Sequence, residues 1–93
     1  MTKAPPKIYK FTLKYQHDAM QIREGRYGYI CPWYRGRTYH KTPYQIGDIL
    51  IIQYIARVRG RFGRIPMCKI EITGWSDDPP YRNYSYKTIE DLF

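Results

Sequence analysis

Long hydrophobic runs are missing from this chain. The longest aliphatic stretch is residues 49–52, and the first ten residues, MTKAPPKIYK, hold no apolar core of a leader. A membrane-spanning helix needs about 20 apolar residues, so neither a transmembrane helix nor a secretory signal peptide is expected. Cysteine is almost absent: Cys31 and Cys68 are the only two, and they form no CxxC pair. That excludes a disulfide framework, and a Cys31/His40/Cys68 zinc site would lack ligand-type spacing, so no metal or other cofactor is expected. Cys68 lies in a strand pattern and is expected as a small buried apolar residue. There is no P-loop, no dinucleotide fingerprint and no Ser/His/Asp order with supporting glycine turns. The expected setting is the cytoplasm, with reduced thiols.

Acid is scarce over the middle of the chain. Residues 25–69 carry nine basic side chains, Arg26, Arg35, Arg37, Lys41, Arg57, Arg59, Arg61, Arg64 and Lys69, against the single acid Asp48. Acids gather late, with four of the eight at Asp77, Asp78, Glu90 and Asp91. Over all 93 residues, sixteen Lys+Arg outweigh eight Asp+Glu, for a net charge of +8. Such a field favours a polyanion, nucleic acid first and an acidic membrane or protein second. Ninety-three residues make one small domain with a modest core. Its eleven tyrosines tolerate half-wet positions, which suits a small barrel or an exposed binding face.

Periodicity predicts an α+β, mostly β, fold. Residues 8–15 alternate, with Tyr9, Phe11, Leu13 and Tyr15 on one face and Lys10, Thr12 and Lys14 on the other. YQHDAMQIRE then places Tyr15, Ala19, Met20 and Ile22 on one helical face, with Gly25 just past the end. Residues 27–31 read as a short strand, with at most one of Tyr27 and Tyr29 turned inward, and 32–43 as a proline-bracketed loop. Gly47 and Asp48 turn into DILIIQYI, apolar on both faces as a central strand should be. In MCKIEIT, Cys68, Ile70 and Ile72 face inward and Lys69, Glu71 and Thr73 outward. DDPP is a turn, residues 84–86 read as a last strand, and TIEDLF as a frayed helical turn. Exposed edges in so small a sheet need cover, which a homodimer would supply.

Between the two long strand patterns lies ARVRGRFGRIP, residues 56–66, with four arginines and no acid. Ten residues, 57–66, is long for a hairpin loop, where two to five are usual. The segment therefore projects, as a twisted ribbon or as an arm. As a ribbon, period two would put Arg57, Arg59 and Arg61 on one face, with Phe62 as a stackable ring. A second basic stretch interleaves rings and cations: Trp33, Tyr34, Arg35, Arg37, His40 and Lys41. Rings that stack bases and cations that track a backbone suit a single-stranded nucleic acid or a flipped base.

A strand, a short helix ending in Gly25 and Arg26, the turn Ile46-Gly47-Asp48-Ile49-Leu50 and the later strand Cys68-Lys69-Ile70-Glu71-Ile72-Thr73 together resemble the ASCH domain. That family belongs to the PUA-like group of small β-barrels, and the resemblance covers about residues 8–75. It implies a PUA-like barrel with one short helix, handling RNA or modified nucleotides in a cleft between barrel and helix. Some family members remove an acetyl group from acetylated cytidine with a lysine and a threonine after the helix and a later glutamate. Here those first two positions hold Tyr27 and Ile30, with Glu90 or Asp91 near the third. A phenol with a pKa near 10 is a poor base at neutral pH, and Ile30 has no hydroxyl.

The expected function is non-catalytic nucleic-acid binding, RNA preferred. Arg35, Arg37, His40, Lys41, Arg57, Arg59, Arg61 and Arg64 hold phosphates, and Trp33, Tyr34 and Phe62 stack on bases. One alternative is a small viral-type module that inhibits an acidic host protein. The other is an amidohydrolase acting on an acylated nucleoside, which requires a closed pocket near Tyr27, Glu71 and Glu90.

Overall fold

A computed structural model describes residues 6–30, 33–34, 37–38, 44–78 and 81–93, with 33–34, 37–38, 77–78 and 81 described by backbone alone. Strand β1 (Ile8–Leu13) leads into helix α1 (Gln16–Arg23). Two short strands follow, β2 (Trp33–Tyr34) and β3 (Arg37–Thr38), and then three long ones, β4 (Ile49–Val58), β5 (Arg61–Asp78) and β6 (Tyr81–Asp91). The main sheet runs β1-β4-β5-β6, and β2 and β3 pair separately. β1 is parallel to β4, and the other two pairings are antiparallel. The sheet is open, with β1 and β6 at its edges, so the described strands do not close into the barrel expected from the sequence. A mostly β fold with one helix stands.

The two faces of the sheet differ because the apolar residues alternate. Tyr9, Phe11 and Leu13 lie opposite Leu50, Ile52 and Tyr54 in the parallel register. Cys68, Ile70 and Ile72 continue the same face, against which Ala19 and Ile22 of α1 pack. Tyr15 lies just outside the helix and is exposed, so the helix buries a narrower stripe than its sequence suggests. Thr88, opposite Ile70, donates its hydroxyl to the Arg23 carbonyl at 3.1 Å and so ties the helix end to β6.

Two turns fix the path. At the helix end the Gly25 amide donates to the Ile22 carbonyl and the Arg26 amide to that of Gln21, a Schellman pair. It needs the left-handed φ of +69° that Gly25 adopts. Before β4, the buried Asp48 carboxylate accepts the Gln45 amide at 2.8 Å and the Lys7 amide at 3.3 Å. The Gly47 amide meanwhile donates to the Ile72 carbonyl at 2.8 Å. The Gly47–Asp48 motif is thus a staple joining the lead into β1, the lead into β4 and the middle of β5.

Two stretches depart from the sequence reading. Residues 84–91 form one continuous strand, with no helical turn at TIEDLF, because β5 offers an edge to pair with, across register shifts at Lys69/Ile70 and Ile72/Gly74. Of residues 27–31, Ile30 makes a single bridge to Tyr84 and is buried, while Tyr27 and Tyr29 are both exposed. Among the described residues of that stretch the expected strand is thus a single bridge, and its buried side chain is Ile30.

Candidate functional site

β4 and β5 outrun their neighbours. β1 ends opposite Tyr54, and β6 ends opposite Cys68. Beyond those points the pairs Ile55–Arg64, Ala56–Gly63, Arg57–Phe62 and Val58–Arg61 form a two-stranded ribbon with no third strand beside it among the described residues. Four pairs at about 3.3 Å per residue give a projection of roughly 13 Å. At its root the register slips between Ile52 and Gln53, a bulge that increases local twist. Gln53, buried there, donates to the Thr12 hydroxyl at 2.7 Å and anchors the base of the ribbon to β1.

The ribbon closes in two residues, Arg59 and Gly60, with φ of +53° and +78°. Positive φ at both central positions marks a type I′ turn, whose twist matches the strands it joins and whose first position favours Asn, Asp or Gly. Arg59 is the one non-glycine residue with positive φ among the described residues. The left-handed conformation costs an L-residue about 1–2 kcal/mol, so a charged side chain occupies the tip against the local backbone preference.

The turn also decides the faces. Arg57 lies opposite Phe62, and Val58 opposite Arg61. Cross-strand partners share a face. Arg57, Phe62 and Arg64 therefore lie on one face and Arg61 with Val58 on the other, while Arg59 sits at the tip. Period two does not carry through a two-residue reversal, so Arg57, Arg59 and Arg61 do not share a face as expected from the sequence. The Arg57 guanidinium stands over the Phe62 ring at 5.9 Å, which stiffens both side chains. Phe62 is 77% exposed, more than any other large hydrophobic residue described.

Electrostatics separates the ribbon from the body. On the face away from the helix, Lys69 pairs with Glu90 at 3.2 Å and Lys87 with Glu71 at 3.6 Å. Arg23 meets Asp91 at 3.8 Å, and Arg26 meets Glu24 at 2.8 Å. Asp18 accepts a hydrogen bond from the Tyr27 hydroxyl, and Asp48 is held by amides. Among the described residues none of Arg57, Arg59, Arg61 and Arg64 reaches a carboxylate. Four exposed guanidiniums stand clear of the acids that pair with Arg23, Arg26, Lys69 and Lys87.

The other predicted residues fall differently. Trp33, Tyr34 and Arg37 lie in the β2–β3 hairpin, described by backbone only, with Tyr34 opposite Arg37. Arg35, His40, Lys41 and Cys31 lie outside the described residues. Tyr27, Glu71 and Glu90 do not converge. Tyr27 sits beside α1, whereas Glu71 and Glu90 are tied to lysines on the opposite face. Desolvation, and then the Asp18 carboxylate, hold the Tyr27 phenol above its ordinary pKa, the wrong direction for a base. Cys68 is fully buried, and its thiol is pushed up to about 11 by burial first and the Asp91 carboxylate second. No group of three His, Cys, Asp or Glu side chains able to hold a metal occurs among the described residues. No helix among them is long and apolar enough to cross a membrane.

The strained tip was missed in the sequence reading. Its signal was present as Arg-Gly, a two-residue turn sequence with the wrong first residue. No protein-family model matches the chain, and no curated protein matches it.

Proposed function

We propose that this protein binds nucleic acid without catalysis, through the arginine ribbon at residues 55–64. The observation that carries the reading is Arg59: a guanidinium at a turn position that disfavours it, at the tip of a projection whose other arginines also meet no carboxylate among the described residues. Backbone strain persists where function uses the side chain that causes it. Exposed guanidiniums held apart from acids are free to take phosphate, bidentately and without first breaking an internal ion pair. Phe62 adds one stacking surface, oriented by Arg57.

The preference for RNA and the PUA-like barrel rest on the resemblance to the ASCH domain. The staple formed by Gly47 and Asp48 supplies a structural reason for the strongest of those motifs. The Trp33–Lys41 stretch is the second contact surface in this reading, and the cytoplasm is the setting. A homodimer through the edges of β1 or β6 is compatible with the ribbon, which lies beyond both.

The test is electrophoretic mobility shift or fluorescence anisotropy with labelled oligonucleotides across a salt series. Four to six phosphate contacts predict a fall in affinity of about two to four orders of magnitude from low to high salt. A flat salt dependence, or no complex with any oligonucleotide, overturns the reading. Capture of an acidic protein that survives nuclease treatment of the lysate, with no oligonucleotide bound, replaces it with a protein-binding role.

A further inference from the structure

The distribution of the arginines specifies more than a negative partner. A single strand offers one row of phosphates, which a set of cations along one face can follow. This ribbon instead presents Arg57 and Arg64 on one face, Arg61 on the other and Arg59 at the end. Between them the ribbon is narrow, because among the described residues each strand lacks a further neighbour past Tyr54 and Met67. Gly63, opposite Ala56, keeps the Arg61 face slim, with no side chain beyond a methyl at that pair.

Resting on the nucleic-acid reading above, we infer that the ribbon inserts into a groove of a duplex and contacts the phosphate rows on both walls at once. Arg57 and Arg64 meet one wall, Arg61 meets the other, and the turn leads toward the floor. The dimensions agree. A B-form major groove, about 12 Å wide and 8.5 Å deep, admits a two-stranded β-ribbon. A projection of roughly 13 Å reaches its floor. The major groove of a continuous A-form helix is deep and too narrow for such entry. The shared chemistry is therefore a helical groove opened to ribbon width, supplied by B-form DNA or by an RNA helix whose groove a bulge has widened.

The experiment compares four probes of matched sequence with the full chain: a DNA duplex, its single strand, a continuous RNA duplex and an RNA duplex interrupted by a bulge. Binding to the DNA duplex or the bulged RNA at least about tenfold tighter than to the single strand and the continuous RNA duplex supports the inference. The bulged-RNA arm against the DNA arm identifies the natural source. Equal or tighter binding to the single strand overturns groove insertion while leaving nucleic-acid binding intact, and no binding to any probe overturns both. Arg57→Gln and Arg61→Gln, on opposite faces, supply the second readout. Each lowers the salt slope on the preferred duplex by about 0.9 if both walls are held. Loss of slope from one face only overturns the two-wall geometry. Both sites are exposed, so thermal unfolding of the two variants serves as a folding control.

Discussion

Val58 lies directly opposite Arg61 at the last pair before the turn, and that pairing turns Arg61 away from Arg57. The ribbon is consequently charged on both sides. An odd-length loop, or a slip of one residue, would have placed Arg61 with Arg57 and moved Arg64 and Phe62 to the opposite face. Turn length sets the distribution of charge, and the distribution of charge sets what the ribbon can grasp.

The tip separates stability from binding. Asn is the preferred first residue of a type I′ turn, so Arg59→Asn relieves left-handed strain and raises stability by about 0.5–1 kcal/mol. The same change removes a guanidinium and weakens oligonucleotide binding. Urea denaturation beside anisotropy titration reads both. A variant that loses stability as well as affinity contradicts the strain assignment.

Gly60 has the opposite dependence. Its φ of +78° is open to glycine, and a Cβ there would meet nothing within 4 Å, so the cost of substitution is conformational alone. Gly60→Val should destabilise by about 1–2 kcal/mol or fray the ribbon. Hydrogen exchange localises the effect: faster exchange confined to residues 55–64 is expected, with the sheet around Ile52 and Ile70 unaffected.

Asp48 is a structural residue. Asp48→Ala strands the Lys7 and Gln45 amides and should cost about 1–3 kcal/mol by chemical denaturation. Oligonucleotide affinity of the folded fraction stays unchanged. A selective loss of binding at full stability would move Asp48 into the interface.

Cys68 governs alkaline behaviour. Its thiol in the folded chain is pushed from 9.0 to about 11, so between those values the native state holds a proton that the unfolded chain releases. The stability this contributes is complete below pH 9 and is lost as pH rises through 11. Tyr44 and Tyr86, also raised chiefly by burial, act in the same direction. Cys68→Ala should flatten the fall in melting temperature across that window. In the folded protein iodoacetamide should modify Cys68 only slowly at pH 8, because thiolate is scarce and the sulfur is covered.

Alternation made β1 and residues 67–73 of β5 legible, because each turns one face to the helix, and β4 was legible as an apolar run because strands flank it on both sides. Gly25 was legible for a similar reason: a helix stop followed by a residue free to take positive φ is a local event. TIEDLF was not, since its strand conformation comes from pairing with β5 across residues 68–70, a contact no local preference encodes. Ile30 was hidden likewise, its role set by a single bridge to Tyr84 from 54 residues away.

By itself, then, the chain of residues determined a basic, mostly β domain with an acid-free arginine segment between two paired strands. Those properties follow from composition and from period-two burial, which act within a few residues. Only the tertiary structure decided that the sheet stays open, that the segment is a ribbon closed by two residues, and that its cations divide between two faces and a strained tip. Register and turn length set those outcomes, and both depend on which distant strands pair and where their neighbours end.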